Sequence, residues 1–468
     1  MHENTEKYDW LLVFFVHEIS EYKFYLDKLL DIIKQSGKKS NIDVWVLLDK
    51  AQKNVPEDKA TFELEVLRLA KTKKGTQLIK TSLQEFNISK SLKRSWITVL
   101  EIIFKNIRTK RRILFTWSHG AGFGINVEDE DKDKSSFVDD TAFLNKIKSM
   151  DSLTTELSNK YFYATTSEIQ KINDENFTEV IYPIPLEEGE YQLVLKDEQR
   201  FNCKKLEILW MSDLADCLRA SLNEETIDVM IMMNCNMQLF ENGFMLKDVV
   251  KILIGPESQM WVDGYDYKKL LSSISENPKI TNKALSKKVL SDYIKMHKKL
   301  RHQYYLDHST MFVNSLKEYE RITSILQKVT QNLLCRMGDV KGSIQSLQQN
   351  FFFSVSGRDT LFLLDLGLWI ETVFSTPGLF EGDLALLDEF RHLISKTVIA
   401  KHVGHFFIQS DADGPKRYGY TGSSLFFPFD GKFTIPTRLS WCEYFSEQIN
   451  SSFQNKTLWD EFIRKLVL

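Results

Sequence analysis

At 468 residues the chain has room for about three ordinary domains, or for one large α/β domain with an extension. Its 61 basic residues nearly cancel its 64 acids, which argues against a general nucleic-acid-binding surface. An apolar content of 43% supports a large core, and only nine prolines exclude long proline-rich linkers.

Trp10–Val16 is the longest apolar run and reads as a strand buried on both faces. It is far shorter than the roughly 20 residues needed to span a bilayer. His17–Glu18 follows it, where a secretion leader would place small residues, so a soluble, unexported, cytoplasmic protein is expected. Tyr22, Leu26, Leu29 and Ile33 then recur at helical spacing, and Val44–Leu48 is a second strand closing on Asp49. Leu92, Trp96, Val99, Ile103 and Ile107 form a long amphipathic helix before the strand Ile113–Trp117. An acid-rich stretch, Val127–Asp140, reads as a solvated loop. Residues 151–205 read as an insertion, with a hairpin whose arms are Val180–Ile184 and Tyr191–Leu195.

Leu214 and Leu218 sit on a helix for which Ser212 is the expected cap. Ile227–Met233 is an apolar strand, a helix follows around Leu239–Val249, and Ile252–Gly255 is the next strand. Strand and helix alternate through this half, which predicts an α/β fold with a mostly parallel sheet flanked by helices. Beyond residue 275 the text turns helical. Leu285, Val289 and Tyr293 form one stripe, and Val313, Leu316, Ile322, Ile325, Val329 and Leu333 another. Strand-like segments at Val403–Ile408 and Ser424–Pro428 and a helix through Trp459–Leu466 complete a mixed helical and β region. The division expected is a core over residues 1–275 and a C-terminal region over 276–468 packed upon it.

Two strands end in reactive residues. Ile113–Trp117 runs into Ser118, His119, Gly120 and Ala121, and Ile227–Met233 runs into Asn234, Cys235 and Asn236. If the strands are neighbours, an imidazole and a thiol share the carboxyl rim of the sheet, where open α/β folds bind ligands. A cysteine nucleophile needs a nearby imidazole to favour thiolate and to protonate a leaving amine. Backbone N–H groups of Gly120 and Cys235 could cradle an oxyanion. Taken singly, a histidine before glycine is a common turn residue and a cysteine after an apolar strand is common packing. Five cysteines without a C-x-x-C pair (Cys203, Cys217, Cys235, Cys335, Cys442) suggest thiols, with neither a disulfide framework nor a zinc cluster. His402, His405, Asp411 and Asp413 read as strand and turn before they read as a metal cluster.

In this order the motifs resemble the clostripain family of cysteine peptidases, relatives of caspases, gingipains and legumain. The resemblance runs through Leu48–Asp49 and the W-x-H-G-x-G of Trp117, His119, Gly120 and Gly122. It continues through Leu214–Leu218, Asp228, Cys235 and Glu241, and through Gly255–Pro256–Glu257. Gly264–Tyr265–Asp266–Tyr267 and Gly422–Pro428 complete it. It implies a caspase-like sheet, Cys235 as nucleophile and His119 as acid/base, hydrolysing peptide bonds through an acyl-enzyme. Gly120 would be an oxyanion donor.

The family usually carries D-A-C at the nucleophile, its aspartate receiving an arginine or lysine of the substrate. Here Met233 and Asn234 take the places before Cys235. A methionine cannot pair with a guanidinium, so Glu257 or Asp263 is left as a substitute carboxylate and a neutral or apolar pocket is expected. The residues themselves call for no cofactor; the resemblance admits calcium, and self-processing after the histidine, with Lys132 and Lys134 as candidate cuts. Asp129, Asp131, Asp133 and Asp140 have EF-hand-like spacing, but Lys134 occupies the place of the turn glycine. An intracellular protein substrate and a regulatory protein, in a signalling or defence setting, follow from the cytoplasmic expectation. The competing reading is a silent pseudo-peptidase that binds a partner.

Overall fold

Every position from Trp10 to Val16 is buried, and the run serves two layers at once. Leu11, Val13 and Phe15 pack with Trp96, Val99, Leu214 and Leu218 on one face. Trp10, Leu12, Phe14 and Val16 pack with Leu26, Leu29, Ile33, Leu270 and Leu285 on the other. Side chains alternate across a strand, so a strand covered on both faces must be apolar throughout.

The computed structural model describes residues 8–17, 23–36, 41–51, 62–81, 92–118, 120, 124–126, 163–165, 181–185, 190–195, 208–258, 260, 264–300, 309–351, 363–404, 421–427 and 452–467. Its first strands are β1 (Tyr8–His17), β2 (Ile42–Ala51), β3 (Phe62–Thr72), β4 (Gly75–Thr81) and β5 (Thr109–Trp117). Short strands follow: β6 (Gly124–Asn126), β7 (Tyr163–Thr165), β8 (Ile181–Pro185), β9 (Glu190–Leu195) and β10 (Ile208–Trp210). The rest are β11 (Ile227–Met233), β12 (Val250–Pro256), β13 (Thr310–Ser315), β14 (Leu363–Asp365), β15 (Val398–Val403) and β16 (Ser424–Phe426).

Nine of these strands form one sheet in the order β15-β13-β12-β11-β5-β1-β2-β3-β4. The centre, from β12 to β2, is parallel, as expected. Antiparallel strands extend it at both sides, β3 and β4 beyond β2, and β13 and β15 beyond β12, so the whole sheet is mixed. Helices cover both faces, giving the three-layer α/β architecture anticipated. The sheet also runs across the boundary expected near residue 275, because β13 and β15 belong to it.

Local differences have local causes. Val313 lies in β13 and Leu316 in a single 3₁₀ turn, and the helix begins only at Tyr319. A short strand running into a tight turn places two apolar residues three apart, as a helix does. Ser212 does not cap its helix: Met211–Leu222 starts directly after β10, with Trp210 extended at the boundary and no side-chain cap. The pairing of β10 with β6 sets that start. The expected hairpin is present, with Ile181 opposite Leu195 across β8 and β9. Among the described residues no helix is long and apolar enough to cross a membrane.

The C-terminal segment returns to the sheet's carboxyl rim. β16 pairs with β14, placing Ser424 opposite Asp365, and the Ser424 N–H donates to the Gln238 carbonyl at 2.9 Å. Trp459 anchors it from behind, its indole N–H donating to the Phe426 carbonyl at 2.9 Å.

Candidate active site

β5 and β11 are parallel neighbours, with Met233 beside Trp117. The segments that follow them therefore leave the sheet together at one rim, as the candidate site requires. His119 lies outside the described residues, as do Asp263, Lys132, Lys134, His405, Asp411, Asp413 and the acidic stretch with Asp129, Asp131, Asp133 and Asp140.

Cys235 sits at that rim, half-buried. The Met260 N–H points at its sulfur from 3.3 Å. The same sulfur faces the Met260 carbonyl as a donor at 3.8 Å. Asn236, the next residue, adopts the left-handed conformation with φ of 59°, and its N–H donates to the Ser258 carbonyl at 2.8 Å. Asparagine tolerates this region better than most side chains, so the chain can turn sharply straight after Cys235. Two other cysteines supply a contrast. Cys217 is buried against the Ile97 carbonyl, and burial pushes its thiol up to about 12, which leaves it inert near neutrality. Cys335 is exposed on the end of a helix.

Gly120 abuts the Cys235 backbone so closely that a Cβ there would collide with the Cys235 carbonyl oxygen and lie 2.7 Å from its nitrogen. Only glycine fits. This close approach brings the Gly120 and Cys235 backbones side by side.

The residues before Cys235 are turned inward. Asn234 is buried and bridges the two strand ends: its amide donates to the Ser118 carbonyl at 2.9 Å, and the Thr116 hydroxyl donates to its Oδ1 at 2.6 Å. Met233 is buried beneath the loop carrying Gly264, with the Tyr267 hydroxyl donating to its Sδ at 2.7 Å. Gly264 has φ of +59°, and a Cβ there would strike the Met233 sulfur. Glu257 is fully buried and accepts from the Ser424 hydroxyl at 2.7 Å, so its carboxyl is committed to the interior and away from the rim.

Behind the rim lies a polar layer that the sequence reading missed. Gln238 donates to the Phe312 carbonyl at 3.3 Å, and Asn314 donates to Gln238 Oε1 at 3.4 Å and to Gly422. The Tyr319 hydroxyl meets Ser423 Oγ at 2.9 Å. Glu241 accepts from the Phe426 N–H at 3.3 Å, and burial pushes its carboxyl up to about 8. The signal available was the run of Asn234, Asn236 and Gln238 after an apolar strand: amides at buried positions must find partners. Among the described residues no group of three or more His, Cys, Asp or Glu side chains is gathered as a metal site.

The profile of the Clostripain family matches residues 200–465, more than half of the chain. No curated protein matches it. Among solved structures, the fold is similar to a secreted C11 cysteine protease from Bacteroides thetaiotaomicron in complex with an irreversible peptide inhibitor. That likeness has a TM-score of 0.54 at 13% identity and covers 97% of this chain and 99% of that one. It is also similar to an inactive zymogen C11 protease from Parabacteroides distasonis, with a TM-score of 0.53 at 12% identity, over 97% of this chain and 98% of that one. The description of the first protein as secreted points away from the cytoplasmic location expected from the sequence. That expectation rested on the segment after Trp10–Val16 and on unpaired cysteines, and neither fixes a compartment. The family profile spans the Cys235 rim, the polar layer behind it and the returning C-terminal segment, and the chain belongs to the clostripain family of cysteine peptidases.

Proposed function

We propose that Cys235 and His119 are the reacting pair of this peptidase. The Cys235 thiolate attacks the carbonyl carbon of a peptide bond, the C–N bond breaks, and His119 gives a proton to the departing amine. Water, losing its proton to His119, then hydrolyses the thioester and returns the thiol. Gly120 and Cys235 N–H groups receive the oxyanion. The observation carrying this reading is the pairing of β5 with β11, which sends both segments to one rim with a backbone donor already on the Cys235 sulfur.

Met233 is enclosed by Tyr267 and Gly264, and Glu257 is turned inside, so a neutral residue before the cut is the preference proposed. A basic preference would have to come from Asp263. In this division of labour residues 1–275 hold the reacting groups and 276–468 back them. The test is cleavage of a mixed peptide library by the protein and by Cys235→Ala, with and without calcium. Cleavage by the parent alone, with rate falling at least about a thousandfold in the variant, supports the reading. Equal cleavage by both refutes it, and arginine or lysine before most cuts refutes the neutral pocket. Mass analysis of the incubated protein reads out cutting at Lys132 or Lys134, and a regulatory protein would appear as a change in rate when it is added.

A further inference from the structure

We propose that His297 is a positioning residue for Cys235, fixing from behind the loop against which the cysteine is seated. This rests on the reading of Cys235 as the nucleophile.

The loop is the connection between β12 and the helix Tyr267–Glu276. Near its start the Ser258 carbonyl holds the Asn236 N–H at 2.8 Å. Met260 meets the Cys235 sulfur with its N–H at 3.3 Å and its carbonyl at 3.8 Å. Near its end the loop leans on the strand end that carries the cysteine. The Tyr265 hydroxyl donates to the Met232 carbonyl at 3.1 Å, and the Tyr267 hydroxyl donates to the Met233 sulfur at 2.7 Å. Gly264 turns in the left-handed region, so close to Met233 that a Cβ would strike its sulfur. One loop thus touches residues 232, 233, 235 and 236.

Glycine fits over Met233, but it has the widest backbone freedom of any residue, so the turn at 264 needs an external hold. His297 supplies one. It is fully buried on the inner face of the helix Asn282–Lys299, with Nε2 3.2 Å from the Gly264 carbonyl. A carbonyl can only accept, so Nε2 carries the proton and donates. The imidazole is itself fixed by packing: its centroid lies 4.4 Å from that of Tyr293, which in turn lies 5.7 Å from that of Tyr265. A helix therefore passes its rigidity to the loop at one backbone oxygen. Without that bond Gly264 can leave its turn, and the two tyrosine hydroxyls lose register with Met232 and Met233. Cys235 then loses its seat.

The experiment measures kcat and KM for peptide cleavage by the parent, His297→Phe, His297→Gln, Tyr267→Phe and the double variant of His297→Phe with Tyr267→Phe. Phenylalanine keeps a ring against Tyr293 and loses the donor; glutamine keeps a donor where Nε2 lay. His297→Phe is expected to lower kcat about tenfold with KM within about twofold of the parent, and His297→Gln to recover most of that loss. Because His297 acts through the loop, the double variant should be about as slow as the slower single variant, without multiplication of the two losses. A merely structural role leaves kcat per folded molecule unchanged, gives no rescue by glutamine, or multiplies the losses, and any of these overturns the proposal. Should His297→Phe not fold, His297→Asn replaces it, its amide too short to reach the carbonyl. Equal kcat in the asparagine and glutamine variants then overturns the proposal. Cleavage surviving in Cys235→Ala overturns the nucleophile reading and this one with it. An inactive Cys235→Ala beside an unmoved kcat in His297→Phe overturns this one alone.

Discussion

At the amino end of β11, Asp228 is buried and richly supplied: the Arg112 N–H reaches it at 2.9 Å, the Lys251 ammonium at 2.8 Å and the Asn282 amide at 2.8 Å. At the carboxyl end of the same layer, Glu241 and Glu257 are as deeply buried, yet each has an oxygen that receives no donor. Both ends bury acids; both oxygens of Asp228 are supplied, whereas Glu241 and Glu257 each keep one that is not. Where the sheet merely has to hold together, charge is met by charge and by N–H groups. Near Cys235, burial raises the Glu241 and Glu257 carboxyls above the usual carboxylate range.

The sharpest way to break this contrast is at the amino end. Asp228→Ala removes the acceptor of three donors and is expected to lower stability by about 3 kcal/mol, measured by urea unfolding. The ratio of cleavage rates at alkaline and acid pH should not move. A shifted ratio would mean that the two ends are coupled and the contrast is false.

A smaller effect is expected from Asn234→Ala at the rim. The Ser118 carbonyl and Thr116 hydroxyl lose their shared partner, and the two strand ends are no longer bridged. We expect kcat to fall about tenfold while KM changes little, since the loss is of alignment between reacting groups. A rise in KM at constant kcat would instead assign Asn234 to substrate binding.

The mildest change is Glu241→Gln. Glu241 stays protonated in the folded chain up to about pH 8 and ionises in the unfolded chain in the ordinary carboxyl range. Its contribution is complete below that range and is lost as pH rises towards 8. Glutamine should flatten that part of the curve of melting temperature against pH and leave the acid side in place. A curve as steep as the parent's would remove Glu241 from the account.

Much of this was legible in the residues. Apolar runs such as Trp10–Val16 and Ile227–Met233 point to a core covered on both faces, and Cys235 follows two residues after the second of them. Gly120 was singled out by the resemblance, since taken singly a glycine after a strand-end histidine reads as a turn, and the structure sets it against the Cys235 backbone. The role of Glu257 was not legible. Its hydroxyl partner lies 167 residues away in β16, and sequence proximity to Cys235 suggested a rim carboxylate where the fold has an interior one. Long-range pairing of polar groups leaves no periodic trace. The reading of Val313 as helical failed for a related reason, since its strand neighbours in β12 and β15 are distant in the chain.

The return of β16 to the rim also sets a schedule. Ser424 supplies the Glu257 hydroxyl and caps the Gln238 carbonyl, and Phe426 supplies the donor to Glu241. A chain emerging from the ribosome can lay down β1, β5 and β11 and expose its thiol long before these residues exist. The back of the site is finished only after residue 426 has left the exit tunnel. The last pieces of the polar layer behind Cys235 are thus also among the last to be synthesised.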